Sequence, residues 1–455
     1  MSTRRSFLKG AGFLTGVAAA APFHAGCQSI PSRKSNATYM GDFAAPKLPE
    51  VKVAFIGVGS RGTGHCKDFA HIPGVKVVGI CDLYQDLAER SAKIIKPDGH
   101  TPKIYWGDEN IYKKMLEETK PDMVVIITNW KNHARQCIDA MNAGAHAFTE
   151  VPIALKIEDM WKIIDTSERT QKHCMMMENV NYGATELLYL NMCRKGIIGE
   201  LLHGEAAYIH ELRGQMNSVE RGTGSWRTFH YARRNGNLYP THGLGPVAQY
   251  MNLARGEDNF GRIVSFTSPA KGRALYARKN FPADHQWNKL DYKGGDICTS
   301  IIKTYLGRTI MLQWDETSPR PYSRRNLIQG TKGTLASFPD RLAIEGVGSY
   351  HHWTEGEEFK KATEQYKHPL LKRIKEKVDK LGLKGHGGMD GIMRFRIIEC
   401  LQEGLPLDQN VYESCFWSAA GVLSEKSVAQ DGMPQKFPDF TRGNWKTTKP
   451  LSVDI

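Results

Sequence analysis

A glycine-rich loop has the spacing of a phosphate-binding turn. It runs from Gly57 to Gly62 as Gly-Val-Gly-Ser-Arg-Gly, between a β-branched run and a segment that favours a helix. In the G-x-G-x-x-G pattern the first glycine permits a tight turn. The second (Gly59) lets the backbone approach a pyrophosphate closely, and the third lets the helix pack closely against the strand. The free N–H groups that begin the helix then attract the phosphates. The loop alone is a weak signal, and a flavodoxin-like sheet without a dinucleotide is the alternative.

An acid at the end of the next β-branched run strengthens this interpretation. Asp82 ends the run VKVVGICD, 20 residues after Gly62. A carboxylate there accepts hydrogen bonds from the adenosine ribose hydroxyls and repels a 2′-phosphate. The loop and the acid together predict a site for NAD rather than NADP. The positive charge of Arg61 could instead favour a phosphate group on the cofactor, but the side chain could equally lie over the adenine ring.

A phenol and an imidazole stand close together in the stretch NLYPTHGLGP. Tyr239 and His242 are set among the rigid turn residues Pro240 and Gly243. Both side chains can be tuned toward neutral pH, which general acid–base catalysis requires. The pair is a candidate for acid–base chemistry, with a structural role for His242 as the alternative.

The elements that would position these groups follow an α/β pattern. Strand-like and helix-like segments alternate from residue 51 to about residue 175, which predicts a doubly wound parallel sheet, that is, a Rossmann domain. Later segments alternate like strands of an open, mostly antiparallel sheet, and residues 389–404 and 410–432 are periodic like helices. The sequence predicts a Rossmann domain over 50–175 and a substrate-binding α+β domain over 176–455. The basic residues 355–385 are expected to form a surface insertion.

The first 27 residues have the features of an export signal. Arg4 and Arg5 precede Phe-Leu-Lys and an apolar run, a pattern typical of twin-arginine signals, which export folded proteins. Cys27 follows in HAGC, which is similar to the end of a lipoprotein signal, although His24 is unusual there. Cleavage near residues 18–21 is the alternative, and residues 28–49 would be a linker. We expect a periplasmic protein or a membrane-anchored lipoprotein of a Gram-negative bacterium.

Composition argues against other classes of protein. The net charge is +13, but we find no nucleic-acid-binding motif, and the aromatic residues are not interleaved with the basic runs. The nine cysteines are scattered without C-x-x-C pairs or metal-finger spacing. We therefore expect neither nucleic acid nor a metal site, and we expect buried thiols rather than disulfides.

Several longer motifs carry a family resemblance. The stretches are TEVPIA, TNWKNHA, MENVNYG, SWRTFHYARRNGNLYPTHGLGP and SPRPYSRRN. With them the sequence resembles glycosyl hydrolase family 109, within the superfamily of glucose–fructose oxidoreductase and inositol dehydrogenase. The family contains NAD-dependent exo-glycosidases, typified by α-N-acetylgalactosaminidase. Superfamily dehydrogenases carry Glu-Lys-Pro where this chain has Glu150, Val151 and Pro152, so their proton-transferring lysine is absent.

The resemblance implies two sets of binding residues. NAD would be contacted by Ser60, Arg61, Asp82, Trp130 through His133, Glu150, Val151 and Asn179. The sugar would be contacted by Tyr208, Arg227, Tyr239, Pro240, Thr241, His242 and Tyr322. Tyr182 would lie close to the reacting carbons and rivals Tyr239 and His242 as a base, and Glu150 could assist the leaving oxygen or activate water. Without the resemblance, His133 could cap a helix, and Arg227 and Tyr322 could be surface residues on loops.

The resemblance also implies a redox-neutral route of hydrolysis. NAD⁺ takes a hydride from C3 of the sugar, the C2 proton becomes acidic, and its removal expels the glycosidic oxygen from C1. Water then adds, and the hydride returns. Because the cofactor is regenerated in place, one loading in the cytoplasm would suffice, which explains why such a protein would fold before export.

Two other functions stay open at this point. The protein could be an exported sugar oxidoreductase, since related oxidoreductases share the leader and the glycine loop. It could instead be a non-catalytic carbohydrate-binding lipoprotein that keeps NAD as a structural remnant. In each case we expect a glycan or glycoconjugate partner, and the open sheet face would suit a homo-oligomer.

Overall fold

The first half of the chain forms a parallel sheet with helices on its faces. The computed structural model describes residues 38–349 and 351–451, so the predicted twin-arginine leader and Cys27 lie outside the described residues. The strands are β1 (Val51–Ile56), β2 (Val75–Asp82), β3 (Lys103–Trp106), β4 (Met123–Ile126), β5 (His146–Thr149) and β6 (Cys174–Met176). The helices are α1 (Ser60–Ala70), α2 (Gln85–Ile95), α3 (Tyr112–Thr119), α4 (His133–Asn142) and α5 (Ile157–Thr170).

The strand order of this sheet defines where a ligand can bind. The order is β3-β2-β1-β4-β5-β6, and every pair is parallel. From β1 the strands are added first on one side of the sheet, as β2 and β3, and then on the other side, as β4, β5 and β6. In such sheets the carboxyl ends of the strands open a crevice at this switch point. The fully buried β4 reflects the helices that cover both faces.

The second half forms a larger mixed sheet. Its strands are β7 (Leu201–Ile209), β8 (Phe260–Thr267), β9 (Ile297–Thr304), β10 (Thr309–Asp315), β11 (Leu327–Gly330), β12 (Gly333–Ala336), β13 (Arg341–Ile344), β14 (Thr354–Glu355) and β15 (Gln435–Lys436). The order is β14-β13-β12-β11-β7-β10-β9-β8-β15. Only the β7–β10 pair among these described strands is parallel.

The remaining helices cover this sheet and return to the first one. They are α6 (Ala184–Arg194), α7 (Thr223–Arg233), α8 (Thr241–Tyr250), α9 (Gly272–Asn280), α10 (Gly356–Thr363), α11 (Pro369–Lys380), α12 (Met389–Glu403) and α13 (Val411–Ala429). Short 3₁₀ helices cover Lys96–Asp98, Asn179–Tyr182, Arg213–Asn217, Gln286–Lys289, Glu364–Tyr366, His386–Gly388 and Asn444–Lys446.

Helix α13 joins the two sheets through its serines. Ser414 and Ser418 accept hydrogen bonds from the backbone N–H groups of Met176 and Ile153 on the parallel-sheet side. Ser427 accepts one from the backbone of Ser265 in β8. Asn410 caps the helix in a capping box with Glu413. The C-terminal helices therefore fix how the crevice faces the second sheet.

The predicted fold class is confirmed: a Rossmann-like parallel sheet precedes a mixed, mostly antiparallel one. The eight described cysteines are unpaired, and seven are buried, as expected for a framework without disulfides. The segment 355–385 differs from expectation because α11 buries Leu370, Ile374 and Val378 while its lysines face solvent. Among the residues that the structure describes, no helix combines the length and the apolar character needed to cross a bilayer.

Candidate active site

A cleft of about 550 Å³ runs along the carboxyl ends of β1, β2 and β4. It brings together nearly all the residues predicted to bind the dinucleotide. They are Gly57, Gly59, Ser60, Arg61, Gly62, Asp82, Trp130, Asn132, His133, Glu150 and Val151. Its far wall comes from α7 and the segment before it, including Trp226 and Arg227. The cleft therefore lies between the two sheets.

The glycine loop has the backbone that its spacing predicts. Gly57 has φ +87°, and a Cβ there would lie 2.5 Å from the carbonyl oxygen of Ile127. Gly59 precedes α1 without a side-chain cap, and no acid stands in the first turn of the helix. The first N–H groups of α1 are thus open to a phosphate.

Gly62 leaves no room for a side chain. A Cβ there would overlap the carbonyl oxygen of Gly57, a backbone atom that cannot turn away. We expect Gly62→Ala to lower the free energy of unfolding by about 1–3 kcal/mol and to weaken NAD binding. Urea unfolding and titration with NAD measure the two effects. Gly64→Ala in the same helix is the matched control, because a Cβ there meets nothing within 4 Å, and equal losses in both variants would contradict the overlap argument.

Asp82 holds the glycine loop as well as facing the cleft. Its Oδ2 accepts a hydrogen bond of 2.7 Å from the backbone N–H of Val58, and its Oδ1 accepts one of 3.0 Å from Tyr84. The carboxylate is therefore fixed at the end of β2, where an adenosine ribose is expected.

Glu150 is a carboxylate locked in its ionised form. Its Oε1 accepts hydrogen bonds from Arg61 Nε at 2.7 Å and from His65 Nε2 at 2.8 Å. Burial alone would raise the pKa of Glu150, but the charge of Arg61 and the bond from His65 outweigh burial and hold that pKa well below its usual range. An ionised carboxylate accepts protons and cannot donate one to a leaving oxygen. This protonation state opposes a role of Glu150 as the acid that assists the leaving oxygen, and it is compatible with the alternative role in activating water.

His65 braces this carboxylate although its sequence context gives no such signal. Its Nδ1 accepts a hydrogen bond of 3.0 Å from Arg394 Nε, so its Nε2–H donates to Glu150. Burial, together with the charges of Arg394 and Arg61, lowers the pKa of His65 to about 4. The neutral imidazole of His65 therefore connects Arg394 of helix α12 to Glu150 in the cleft.

Arg61 is pinned at the inner end of the cleft rather than over the adenine. Besides Glu150 it binds Asp390, donating to Oδ1 at 3.0 Å, and its Nη1 lies 3.2 Å from His386 Nδ1. The buried Asn179 donates to the same Asp390 at 2.7 Å. Asn179 is not among the residues that line the cleft. Its amide therefore stabilises Asp390, the partner of Arg61, and does not face the space where a dinucleotide would bind.

An aromatic cluster adjoins the inner end of the cleft. Tyr208 stacks on Tyr239 with ring centroids 4.7 Å apart, and His242 packs edge-on against both rings. Trp130 lies 6.1 Å from Tyr239 and lines the cleft as well. Tyr322 is 40% exposed at the rim, with its ring 6.2 Å from that of Tyr208. These predicted sugar-binding residues are thus assembled beside the cofactor cleft.

Arg227 joins the two halves of the site. It belongs to helix α7, not to a loop, and its guanidinium lies 4.9 Å from the Trp130 ring centroid and 5.1 Å from that of Tyr239. Its Nε is buried without a hydrogen-bond partner among the described residues. A buried donor of this kind needs an acceptor, which a bound ligand would supply.

His242 is oriented by a carboxylate that sequence reasoning missed. Its Nδ1 lies 2.6 Å from Oε1 of Glu178, which is fully buried. Close packing of α8 permits this bond: a Cβ on Gly243 would overlap the backbone of Ala207, and one on Gly245 would lie 2.9 Å from Asn181 Oδ1. The glycines of HGLG are therefore required for the position of His242, and Glu178 holds its Nδ1 proton.

The two tyrosines of the cluster stay protonated. Burial raises the pKa of Tyr239 well above its usual range, although the nearby charge of Arg227 lowers it. Burial raises the pKa of Tyr208 in the same way. Burial therefore opposes the predicted tuning of Tyr239 toward neutral pH, and the charge of Arg227 acts in the direction of that prediction.

Tyr182 does not join the cluster. It is 3% exposed, and burial and the charge of Asp408 raise its pKa well above the usual range. It lines a small separate cavity with Leu370 and Asp408. The proposed role of Tyr182 as a base near the sugar carbons therefore has no support from the geometry. Pro240 and Thr241 are also buried, and they contribute the backbone that begins α8.

His133 and His386 occupy opposite situations. The ring nitrogens of His133 lie 2.7 Å and 3.0 Å from the carbonyl oxygens of Pro152 and Thr128, so this side chain connects two loops beneath the cleft.

His386 has a side chain that is 60% exposed. It stands between glycines with positive φ, and it donates a hydrogen bond of 2.8 Å to Asp390. Its Nδ1 lies 3.2 Å from Nη1 of Arg61, which lines the cleft. His386 thus adds an exposed imidazole beside the cleft.

Within the described ranges, no cluster of three or more His, Cys, Asp or Glu side chains could hold a metal ion.

Comparisons with known proteins agree with this arrangement. The family model described as "Glycosyl hydrolase 109, C-terminal domain" matches residues 182–447. The model described as "Oxidoreductase family, NAD-binding Rossmann fold" matches residues 51–178. The predicted NAD cofactor is thereby confirmed, since the matched domain carries the glycine loop and Asp82.

Curated relatives cover the whole length. Glycosyl hydrolase family 109 protein 1 of Akkermansia muciniphila is 60% identical, with 99% of each chain covered. A protein of Shewanella oneidensis named alpha-N-acetylgalactosaminidase is 51% identical, over 99% of this chain and 98% of its own.

Solved structures share the fold at low identity. Levoglucosan dehydrogenase, in complex with NADH and levoglucosan, has a TM-score of 0.63 at 16% identity, over 86% of this chain and 100% of its own. Scyllo-inositol dehydrogenase from Lactobacillus casei, with bound NAD(H) and scyllo-inositol, has a TM-score of 0.60 at 13% identity, over 85% of this chain and 99% of its own.

Proposed function

The chain belongs to glycosyl hydrolase family 109, and from that membership we propose that it is a redox-neutral glycosidase that keeps its NAD through turnover. The proposed substrates are glycans ending in N-acetylgalactosamine or a related amino sugar. One observation carries the proposal. The carboxylate-held His242 and the protonated Tyr239 adjoin a dinucleotide cleft in which a buried valine, Val151, stands where superfamily dehydrogenases have lysine.

The residues present fit NAD. The cradle at Gly57 and Gly62 leaves no room for a Cβ, the start of α1 is open, and Asp82 is fixed at the ribose position. When bound, the cofactor supplies the reversible acceptance of a hydride from the sugar ring. The buried Oδ1 of Asn129, which has no partner among the described residues, and the Nε of Arg227 are further polar atoms available to a ligand in the cleft.

The chain's own residues divide the proton transfers. Glu178 holds the Nδ1 proton of His242, so Nε2 is the nitrogen that accepts a proton from the sugar. Tyr239 donates a hydrogen bond to sugar oxygen, because its phenol stays protonated. His386, exposed beside the cleft and held by Asp390, is placed to protonate the leaving oxygen and to activate water. The ionised Glu150 fixes Arg61 and His65 around the inner end of the cleft.

Aryl glycosides and cofactor analysis test the proposal together. Purified protein, with no NAD added, is expected to release aryl alcohol from an N-acetylgalactosaminide over many turnovers. Denaturation is expected to release close to one dinucleotide per chain, still as NAD⁺. Accumulation of NADH in step with sugar consumed would instead indicate an oxidoreductase, and sugar binding without any turnover would indicate a carbohydrate-binding protein.

The absent lysine gives a further prediction. Val151 is 2% exposed and lines the cleft beside Glu150. We expect Val151→Lys to lower aryl-glycosidase kcat, because an ammonium group there disturbs the Glu150 network and adds a proton shuttle at the hydride-transfer end. Val151→Met is the control for side-chain length. Unchanged glycosidase activity in the lysine variant would contradict the idea that loss of this lysine suits elimination.

We also propose that the protein is exported by the twin-arginine route with its cofactor already bound. The support is the arginine pair Arg4 and Arg5 before an apolar run, together with an internal NAD cleft. Cys27 is the proposed lipid attachment point. Replacing both arginines by lysine is expected to retain the protein in the cytoplasm of a Gram-negative host, and cell fractionation measures this. Normal export of that variant would refute the route.

A further inference from the structure

The outer part of the cofactor cleft is crossed by a strap, which we define as residues 213–223. The strap begins with the 3₁₀ helix Arg213–Asn217 and runs to the start of α7. It therefore belongs to the second lobe, yet Gln215, Ser218, Glu220 and Arg221 line the same cleft as Asp82. Leu83, Tyr84 and Leu87 line the cleft from the Rossmann side. This is the region beyond the ribose-binding acid, where adenosine lies in such folds.

One end of the strap is rooted in a small hydrophobic core of its own lobe. Met216 is buried with Trp287 and Ala277, and the indole N–H of Trp287 donates to the carbonyl oxygen of Met216 at 3.0 Å. A Cβ on Gly224 would overlap the carbonyl of Gln215, so the strap folds tightly back on α7. The base of the strap is thus fixed.

The tip of the strap is fastened to the opposite lobe by one side chain. The guanidinium of Arg221 lies 4.0 Å from the centroid of the Tyr84 ring. Its Nη1 is 3.0 Å and 3.1 Å from the two carboxylate oxygens of Asp86, in the first turn of α2. Gly222 follows with φ +90°, a conformation that favours glycine and turns the chain into α7. The side chains of Arg221 and Asp86 are 52% and 62% exposed, whereas Met216 at the base of the strap is buried, so the fastening is the more accessible end.

The strap also presents a polar atom to the cleft. The Oε1 of Gln215 is buried and has no hydrogen-bond partner among the described residues. Buried amide oxygens are nearly always paired. Because Gln215 lines the cleft, a donor on the bound cofactor can satisfy it.

We propose that the strap closes over the adenosine half of NAD and that the fastening of Arg221 on Tyr84 and Asp86 is the latch that keeps the cofactor in the protein. NAD leaves only when this latch opens, whereas the sugar enters at the opposite, aromatic end of the site. The proposal rests on the proposed retention of NAD through turnover and supplies its structural cause. Arg221 is a retention residue and takes no part in the chemistry.

The rate of NAD release tests the latch directly. Protein saturated with radiolabelled NAD is desalted and chased with excess unlabelled NAD, and retained label is followed by rapid filtration. We expect Arg221→Ala to raise the dissociation rate by about tenfold, because it removes a cation–π contact and an exposed ion pair. Asp86→Asn and Arg221→Lys should raise it less, since each keeps one part of the latch. A double variant, Arg221→Ala with Asp86→Asn, should release NAD no faster than Arg221→Ala alone.

Arg341→Ala is the matched control. Arg341 also stacks on an aromatic ring, that of Trp353 at 4.7 Å, and pairs with Glu355 at 3.6 Å, but it lies in β13 and does not line the cleft. Its removal should leave NAD release unchanged. Release at the wild-type rate from Arg221→Ala, or equal acceleration by Arg341→Ala, would overturn the latch. The glycosidase proposal fails on a separate result, the absence of aryl alcohol even with NAD added, which the release assay does not measure.

Discussion

Replacement of His242 by glutamine is expected to lower kcat for aryl-glycoside cleavage by about 10²–10⁴-fold, the usual contribution of a positioned general base. Glutamine keeps the polarity and approximate size of the side chain but cannot take a proton. The imidazole packs edge-on against the stacked rings of Tyr208 and Tyr239, and its Nδ1 lies 2.6 Å from Oε1 of Glu178. Initial rates at saturating substrate, measured on protein whose NAD content matches the wild type, test this prediction.

Two companion variants separate catalysis from packing. His203→Gln is the matched control, since His203 lies in the same lobe and bonds only Thr309 Oγ1, at 2.8 Å, among the described residues. It should leave kcat unchanged. Glu178→Gln should give a smaller loss than His242→Gln, because the acceptor for Nδ1 remains while its charge is removed. A His242→Gln enzyme within threefold of wild type would rule out His242 as the base.

The sequence predicted those parts of the site that depend on local backbone geometry. The glycine loop and the acid that ends β2 each have a steric or hydrogen-bonding reason that short spacing reveals, whereas the glycines of HGLG lie inside helix α8 and meet residues distant in the sequence. Gly62 illustrates the local requirement, since a Cβ there would overlap the carbonyl oxygen of Gly57, five residues earlier. Such requirements are written into a few consecutive residues and can be read without knowing the tertiary fold.

The partners of these residues were not predictable in the same way. Glu178 and His242 are 64 residues apart, and Arg61 and Asp390 are 329 apart, so only the tertiary fold reveals that they meet. His65 had no motif around it, yet it holds Glu150. A signal for Glu178 existed, because it stands beside Asn179 in the motif MENVNYG, but an isolated carboxylate is too common to single out.

The protonation states show a second limit of sequence reasoning. A tyrosine in a family motif can be a base, a donor or a core residue, and burial decides among them. Tyr239 and Tyr182 are both buried, but only Tyr239 has Arg227 and the cleft beside it. Residue type gives the range of chemistry, and the surrounding dielectric and charges select from it.

Asp82→Asn is expected to weaken NAD binding by about 10–100-fold, which corresponds to the loss of one charge-assisted hydrogen bond. The carboxylate is the only acid fixed at the end of β2 in the described chain, with Oδ2 2.7 Å from the backbone nitrogen of Val58. The neutral amide no longer repels the 2′-phosphate of NADP. The ratio of NAD affinity to NADP affinity should therefore fall by a larger factor than the affinity for NAD itself. Equilibrium binding of both dinucleotides to cofactor-stripped protein measures the two effects.

The outcome depends on distinguishing lost charge from a loosened loop, because Asp82 also supports the backbone of the glycine turn. Asp122→Asn is the matched control: its Oδ2 accepts a hydrogen bond of 2.9 Å from the backbone N–H of Lys52, at the opposite end of β1. If both variants lost NAD affinity equally, general damage to the sheet would explain the result. If Asp82→Asn alone weakens NAD while NADP binding holds or improves, the carboxylate acts on the ribose itself, because a collapsed loop would lose both dinucleotides together.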